Sequence, residues 1–130
     1  MNLKNEVTVV VLATNEQQIL FNTVKIIFIE NVKYINKIII ITPHDVSKGC
    51  IKTISKLKNL YLKKIVHKIQ PSNLPGYGGA SIFAIDIVDT RFFVLCDADG
   101  ETDPKEIKNM IMNIKNSDID IVSCSRWLSR

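Results

Sequence analysis

The 130-residue sequence has no apolar run approaching the ~20 residues that a membrane-spanning helix needs. Its apolar runs, such as those at residues 38–41 and 92–96, are of strand length. The first six residues lack the basic-then-apolar shape of a signal peptide, and the chain is expected in the cytoplasm. Cysteine is scarce and odd in number. Cys50, Cys96 and Cys124 contain no Cys-x-x-Cys pair, and the last two lie in apolar runs. Free thiols are therefore expected, not a disulfide framework or a zinc site. Aromatic residues make up only 7% of the chain and are not interleaved with the lysines of residues 48–68, which supply much of the +4 net charge. Such lysines read as solvated faces, and no nucleic acid is expected as a partner. Repeats, low-complexity tracts and linkers are absent, so residues 1–130 are expected to form one domain.

What the chain does contain is an alternation of short apolar runs with amphipathic stretches. Strands are expected at residues 7–12, 38–42, 62–69, 92–96 and 119–124, the third nearest an edge because it is the least apolar. Helices are expected between them. The first runs to about residue 30, with Asn15 as its cap and Gln18 three residues on. A second covers residues 46–60 with Ile51, Ile54 and Leu57 inward, and a small-residue helix covers 79–88. The last has Asp103 as cap, Pro104 in its first turn, Glu106 closing the box, and Ile107, Met110, Ile111 and Ile114 on one stripe. Apolar strands alternating with helices imply an α/β fold, a mostly parallel sheet with helices on both faces. Ligands of such sheets bind outside the carboxyl ends of the strands. Residues 14–16, 43–45, 97–101 and 125–126 should converge there.

Asp97 and Asp99 stand two apart at the end of a buried strand, a spacing that turns both carboxylates to one side. Such a pair suits a hard cation, magnesium or manganese, that keeps phosphate oxygens among its ligands. Glu101, two residues further on, is within reach of the same ion. An isolated Asp-x-Asp-Gly equally suits an ordinary strand-to-loop turn, so the surroundings decide.

Those surroundings are Val94-Leu95-Cys96-Asp97-Ala98-Asp99-Gly100-Glu101-Thr102-Asp103-Pro104. This segment resembles the metal-binding segment of family 2 glycosyltransferases, and most of all that of the polyprenyl-phosphate sugar transferases, dolichyl-phosphate mannose synthases included. Three more segments fall in the family's order. Residues 9–16 resemble the opening strand that ends in Asn-Glu. Gly76-Tyr77-Gly78-Gly79-Ala80 resembles the glycine-rich turn before the metal strand. Asp120-Ile121-Val122-Ser123-Cys124-Ser125-Arg126 resembles the strand that ends in Ser-Arg. A glycine-rich turn alone is weak; four segments in order, over nearly the whole chain, are strong.

The resemblance implies the nucleotide-diphospho-sugar transferase (GT-A) type of fold and transfer of a sugar from a nucleotide-diphosphate donor to an acceptor, a polyprenyl phosphate in the nearest subgroup. It implies Mg2+ or Mn2+ at Asp97, Asp99 and Glu101, with Asp99 the principal ligand. It implies donor contacts from Thr14, Glu16, Asp45, Asp97, Ala98, Asp99 and Arg126. Two departures stand out. Leu12-Ala13-Thr14-Asn15-Glu16 lacks the tyrosine of the family's Pro-x-Tyr-Asn-Glu, and Thr42-Pro43-His44-Asp45 replaces its Asp-Asp-Gly-Ser.

Relatives continue past the Ser-Arg segment into an acceptor half that carries the general base. The sequence thus reads as the nucleotide-sugar half, truncated before the acceptor half, with the base beyond Arg130. In a longer parent it would stand at the cytoplasmic face of a membrane. Catalysis by 130 residues alone is not expected. The apolar edge at residues 92–95 is expected to be closed, by residues 119–124 or by a second copy of the chain. The rival readings are a non-catalytic nucleotide-binding module and a haloacid-dehalogenase-type phosphatase. The phosphatase would need more chain after its aspartate loop than the 31 residues that follow Asp99.

Overall fold

The computed structural model describes residues 1–125 and contains one four-stranded parallel sheet. Its strands are β1 (Val7–Leu12), β2 (Ile35–Thr42), β3 (Ile65–Ile69) and β4 (Phe92–Asp97), in the order β3-β2-β1-β4. The helices are α1 (Gln18–Asn31), α2 (Lys48–Tyr61), α3 (Gly76–Ile87) and α4 (Glu106–Asn116), with a short 3-10 turn at Leu62–Lys64. None of the described helices is long and apolar enough to cross a membrane.

The period-two alternation of the strands divides the interior into two cores. Val9, Val11, Ile38, Ile40, Val94 and Cys96 face a large cluster with the buried stripes of α1, α2 and α4. Val10, Ile39 and Ile41 face the opposite way, onto Ala84 of α3, with Leu12, Phe83 and Leu95 packed alongside. Helices therefore cover both faces, which is why β1 and residues 38–41 of β2 are apolar at nearly every position. The chain lays β2 and β3 on one side of β1 and then returns to lay β4 on the other. The order of the sheet reverses between β1 and β4, and a crevice opens there at the carboxyl ends.

The elements depart from expectation in several places: β3 begins at Ile65 and not at Leu62, α3 begins at Gly76 and not at Gly79, and four further differences bear on packing and caps. Residues 119–124 form no strand: Ile121 is 84% exposed, and β4 is left at the sheet edge. Strand propensity is realised only against a neighbour, and this segment makes no ladder with β4. It instead walls an open trough of about 810 Å3 with Phe92, Phe93, Met110 and Ile114. Asn15 does not cap α1, whose first residue follows Gln17 with no side-chain cap. The capping box at α4 is also unmade. Asp103 Oδ1 accepts the Lys105 N–H at 3.0 Å, while Glu106 turns to Asn109, so the helix starts later than Pro104 suggests. In α2, Cys50 takes the innermost place and Ile51 is 37% exposed, because the helix begins at Lys48 under a Ser47 cap.

Candidate functional site

The crevice between β1 and β4 holds a cavity of about 310 Å3, at the lower end of the range for small-molecule sites. The ends of β1 and β4 supply one wall, Leu12, Ala13, Thr14 and Glu16 against Asp97, Ala98 and Asp99. Pro43, Gln70 and the start of α3, with Gly76, Tyr77 and Ala80, supply the other.

Backbone hydrogen bonds extend the sheet by one residue at this mouth and make it rigid. Ala98 N–H donates to Leu12 O at 3.0 Å, Ala13 N–H to Ile41 O at 3.0 Å and Gln70 N–H to Thr42 O at 2.8 Å. Leu12 pairs with Asp97, on the same face as Val10 and Leu95, so Asp97 turns towards the α3 side. Ala98 is fully buried and belongs to the opposite core, with Ala13. The alternation therefore aims Asp97 and Asp99 the same way, as their spacing predicts, and both line the cavity.

Beyond Asp99 the chain turns sharply. Gly100 has φ +83°, and a Cβ there would strike the Ile19 side chain of α1. The Asp99 Oδ1 accepts the Glu101 N–H at 3.0 Å, which holds this carboxylate at the mouth. Glu101 itself is exposed and does not line the cavity.

On the β1 side, Glu16 Oε2 accepts the N–H groups of Thr14 at 2.7 Å and Asn15 at 3.0 Å, and Ser47 N–H donates to Thr14 O at 3.2 Å. The Asn-Glu pair thus builds its own loop where a helix cap was expected. Asp45 is exposed, outside the cavity lining, and Arg126 lies outside the described residues.

Sequence reasoning passed over two lining residues. Gln70 donates its amide N–H groups to the carbonyls of Leu74 and Gly76, closing the loop before α3. Tyr77 is the one aromatic among the described lining residues, 60% exposed at the mouth. Burial, then the charge of Asp97 and the proximity of Cys96, push its phenol above the ordinary value, so its hydroxyl remains a donor. The available signal was a lone tyrosine within a glycine-rich turn. Gly76 adopts φ +70°, and a Cβ on Gly79 would run into the Leu74 carbonyl, so the turn needs both glycines.

Electrostatically the cavity is acidic. Glu16, Asp97 and Asp99 line it, and no Lys or Arg does among the described residues. The charge reaches inward too. Burial, then Asp97, Asp99 and Cys124, push the Cys96 thiol up to about 12. Among the described residues no three His, Cys, Asp or Glu side chains gather in an ion-holding group. Two carboxylates at an open mouth nonetheless fit a hard cation that takes its remaining ligands from water and phosphate.

The family model described as Glycosyl transferase family 2 matches residues 8–130, nearly the whole chain. A comparison with curated proteins finds no match.

Proposed function

The chain belongs to glycosyl transferase family 2, and on that premise we propose that the acidic cavity receives the diphosphate of a nucleotide-sugar donor through a divalent cation. Membership implies glycosyltransferase activity at the level of the family, with a nucleotide-sugar donor and an acceptor. The observation that carries the finer reading is the charge of the cavity. Three carboxylates and no described basic residue make a wall that repels a bare diphosphate. At 4 Å two like charges repel by about 4 kcal/mol at an effective dielectric of 20. Asp97 and Asp99 would hold a magnesium or manganese ion, whose charge would reverse that sign for a diphosphate. Bound there, the ion would supply Lewis-acid stabilisation of the departing diphosphate.

The residues of the chain do the rest. Asp99, fixed by the Glu101 amide, and Asp97, fixed in the β1–β4 ladder, hold the ion. Glu101 joins as a further ligand by a turn of its exposed side chain. Thr14 and Glu16 meet the nucleoside end, Asp45 approaches from the β2 loop, and Arg126 meets the diphosphate or sugar. Tyr77 offers a ring face and a hydroxyl donor beside Asp97. The acceptor in this reading is a polyprenyl phosphate, presented at the cytoplasmic face of a membrane. Two copies of the chain pair along the edge of β4 at Phe93, where β1 is its one ladder neighbour among the described residues.

A second reading, a nucleotide-binding module without catalysis, has one observation in its favour. With Asp97 and Asp99 on the cation, Glu16 is the remaining carboxylate in the lining, and its Oε2 already accepts two backbone N–H groups. No described lining carboxylate is then left to deprotonate a hydroxyl acceptor, whereas a phosphate acceptor, already ionised near neutral pH, needs no such base. Two assays on the same protein separate the readings. Thermal unfolding with UDP-, GDP- and CDP-sugars and manganese should show one nucleotide raising the melting temperature. Saturation at a hundred times Kd corresponds to about 2.7 kcal/mol. Radiolabelled donor offered with polyprenyl phosphate then reports transfer. Stabilisation with transfer supports the enzyme, stabilisation without it supports the module, and no stabilisation by any nucleotide contradicts both.

A further inference from the structure

At the far end of the sheet from the acidic cavity, a second pocket of about 450 Å3 is lined by Met1, Asn2, Lys4, Lys33, Tyr34 and Lys115. We propose that this pocket binds a phosphate-bearing anion. Its components come from the amino ends of β1 and β2 and the last turn of α4, so it stands about one strand length, roughly 20 Å, from Asp97 and Asp99.

Tyr34 is its floor. The ring is 7% exposed, belongs to the main core and donates its hydroxyl to Met112 Sδ at 3.6 Å. Two ammonium groups are held at this one ring, Lys33 Nζ at 4.9 Å from its centroid and Lys115 Nζ at 5.7 Å. Attraction to a ring is worth about 0.5–1 kcal/mol for a cation at an exposed site and neutralises neither the exposed Lys33 nor the half-buried Lys115.

The charge here is in surplus. The ion pairs among the described residues are Lys37–Asp89 and Lys108–Glu30, and neither involves the pocket. The carboxyl ends of α1 and α4 lie close by, at Asn31 and Asn116, and each offers about half a negative charge. Together they balance about one lysine of the three. A concave surface with uncompensated ammonium groups favours an anion, and phosphate oxygens accept from ammonium donors in charge-assisted hydrogen bonds. The phosphate can belong to a soluble molecule or to a lipid headgroup.

The same geometry supplies a local reporter. Burial works to raise the Tyr34 phenol, but Lys33 and Lys115 overcome it and hold it below the ordinary tyrosine value. A bound anion offsets the two lysines, so the phenol should ionise at higher pH when the pocket is filled. The difference in tyrosinate absorbance between the protein and Tyr34→Phe isolates this group. Titrations with pyrophosphate are run in chelator, which keeps divalent cations from the acidic cavity. Sedimentation with vesicles of phosphatidylcholine, with and without phosphatidylglycerol, forms the second arm.

Pyrophosphate should raise the Tyr34 ionisation, and Lys33→Gln with Lys115→Gln should weaken pyrophosphate binding at least tenfold. Lys4→Gln, outside every helix and strand, gives a milder loss in the same direction and stands in if the double variant fails to fold. Capture by anionic vesicles, lost in these variants, identifies a lipid headgroup as the source. Pyrophosphate binding without vesicle capture identifies a soluble one. An unmoved Tyr34 titration together with vesicle capture insensitive to the substitutions overturns the proposal, whatever the acidic cavity binds.

Discussion

Ala98 donates its amide hydrogen to the Leu12 carbonyl at 3.0 Å, one residue past the last ladder pair, which joins Leu12 to Asp97. The aspartate segment is thus an extension of the sheet and not a free loop, and its position is set by β1. Ala98 also has no exposed surface, so its methyl group is part of the packing that aims the two carboxylates. Ala98→Val should overpack the site, destabilising by about 1–3 kcal/mol. Chemical denaturation measures this, and nucleotide affinity should fall with it because Asp97 and Asp99 are displaced together.

Gly100 permits the turn that follows. Its φ of +83° is strained for any residue with a Cβ, and that Cβ would meet Ile19 as well. Gly100→Ala should lower stability by more than about 1 kcal/mol, read from the denaturation midpoint. Gly78 has open space around its Cβ position and ordinary φ, so Gly78→Ala should be close to neutral or stabilising.

The capping residues give a paired test. Ser47 Oγ accepts the Cys50 N–H at 3.2 Å, and Ser47→Ala should cost about 1 kcal/mol. Asn15 makes no such bond to α1, and Asn15→Ala should change stability by less than about 0.5 kcal/mol.

These contrasts mark how far the sequence could be read. The parallel sheet, the four described strands and the stripe of α4 followed from the period of the apolar residues, whereas the stripe of α2 was legible only in part, Ile54 and Leu57 facing inward and Ile51 outward. The convergence of Thr14, Glu16, Asp97 and Asp99 followed from their common place at strand ends. Caps were less legible, because Asn15 and Asp103 each suit several local hydrogen bonds and only tertiary geometry selects one. The expected strand at residues 119–124 needed a partner that its own composition does not supply. Gln70 reaches the cavity from the end of β3 and Tyr77 from the first turn of α3, positions that no periodicity reveals.

The thiols report on the interior without perturbing it. Cys96 is buried, with its pKa pushed up to about 12, and burial followed by Glu16 raises Cys50 as well. Both should resist an alkylating reagent at neutral pH, while the exposed Cys124 reacts first despite a raised value of its own. The folded state holds the Cys96 proton more tightly than an unfolded thiol near 9 does. Stability from this group is therefore complete below pH 9 and falls as pH rises towards 12. Cys96→Ala should flatten that part of the stability profile.

The central claim is that a cation joins the Asp97/Asp99 pair to a nucleoside diphosphate. Calorimetry with UDP, GDP and CDP, each with manganese and again after chelation, tests it directly. At least one nucleotide should bind with manganese and lose its affinity without it. Asp99→Asn should weaken that binding tenfold or more, about 1.4 kcal/mol, and Glu101→Gln should weaken it less. A nucleotide that binds equally well after chelation, or with undiminished affinity to Asp99→Asn, would contradict the account.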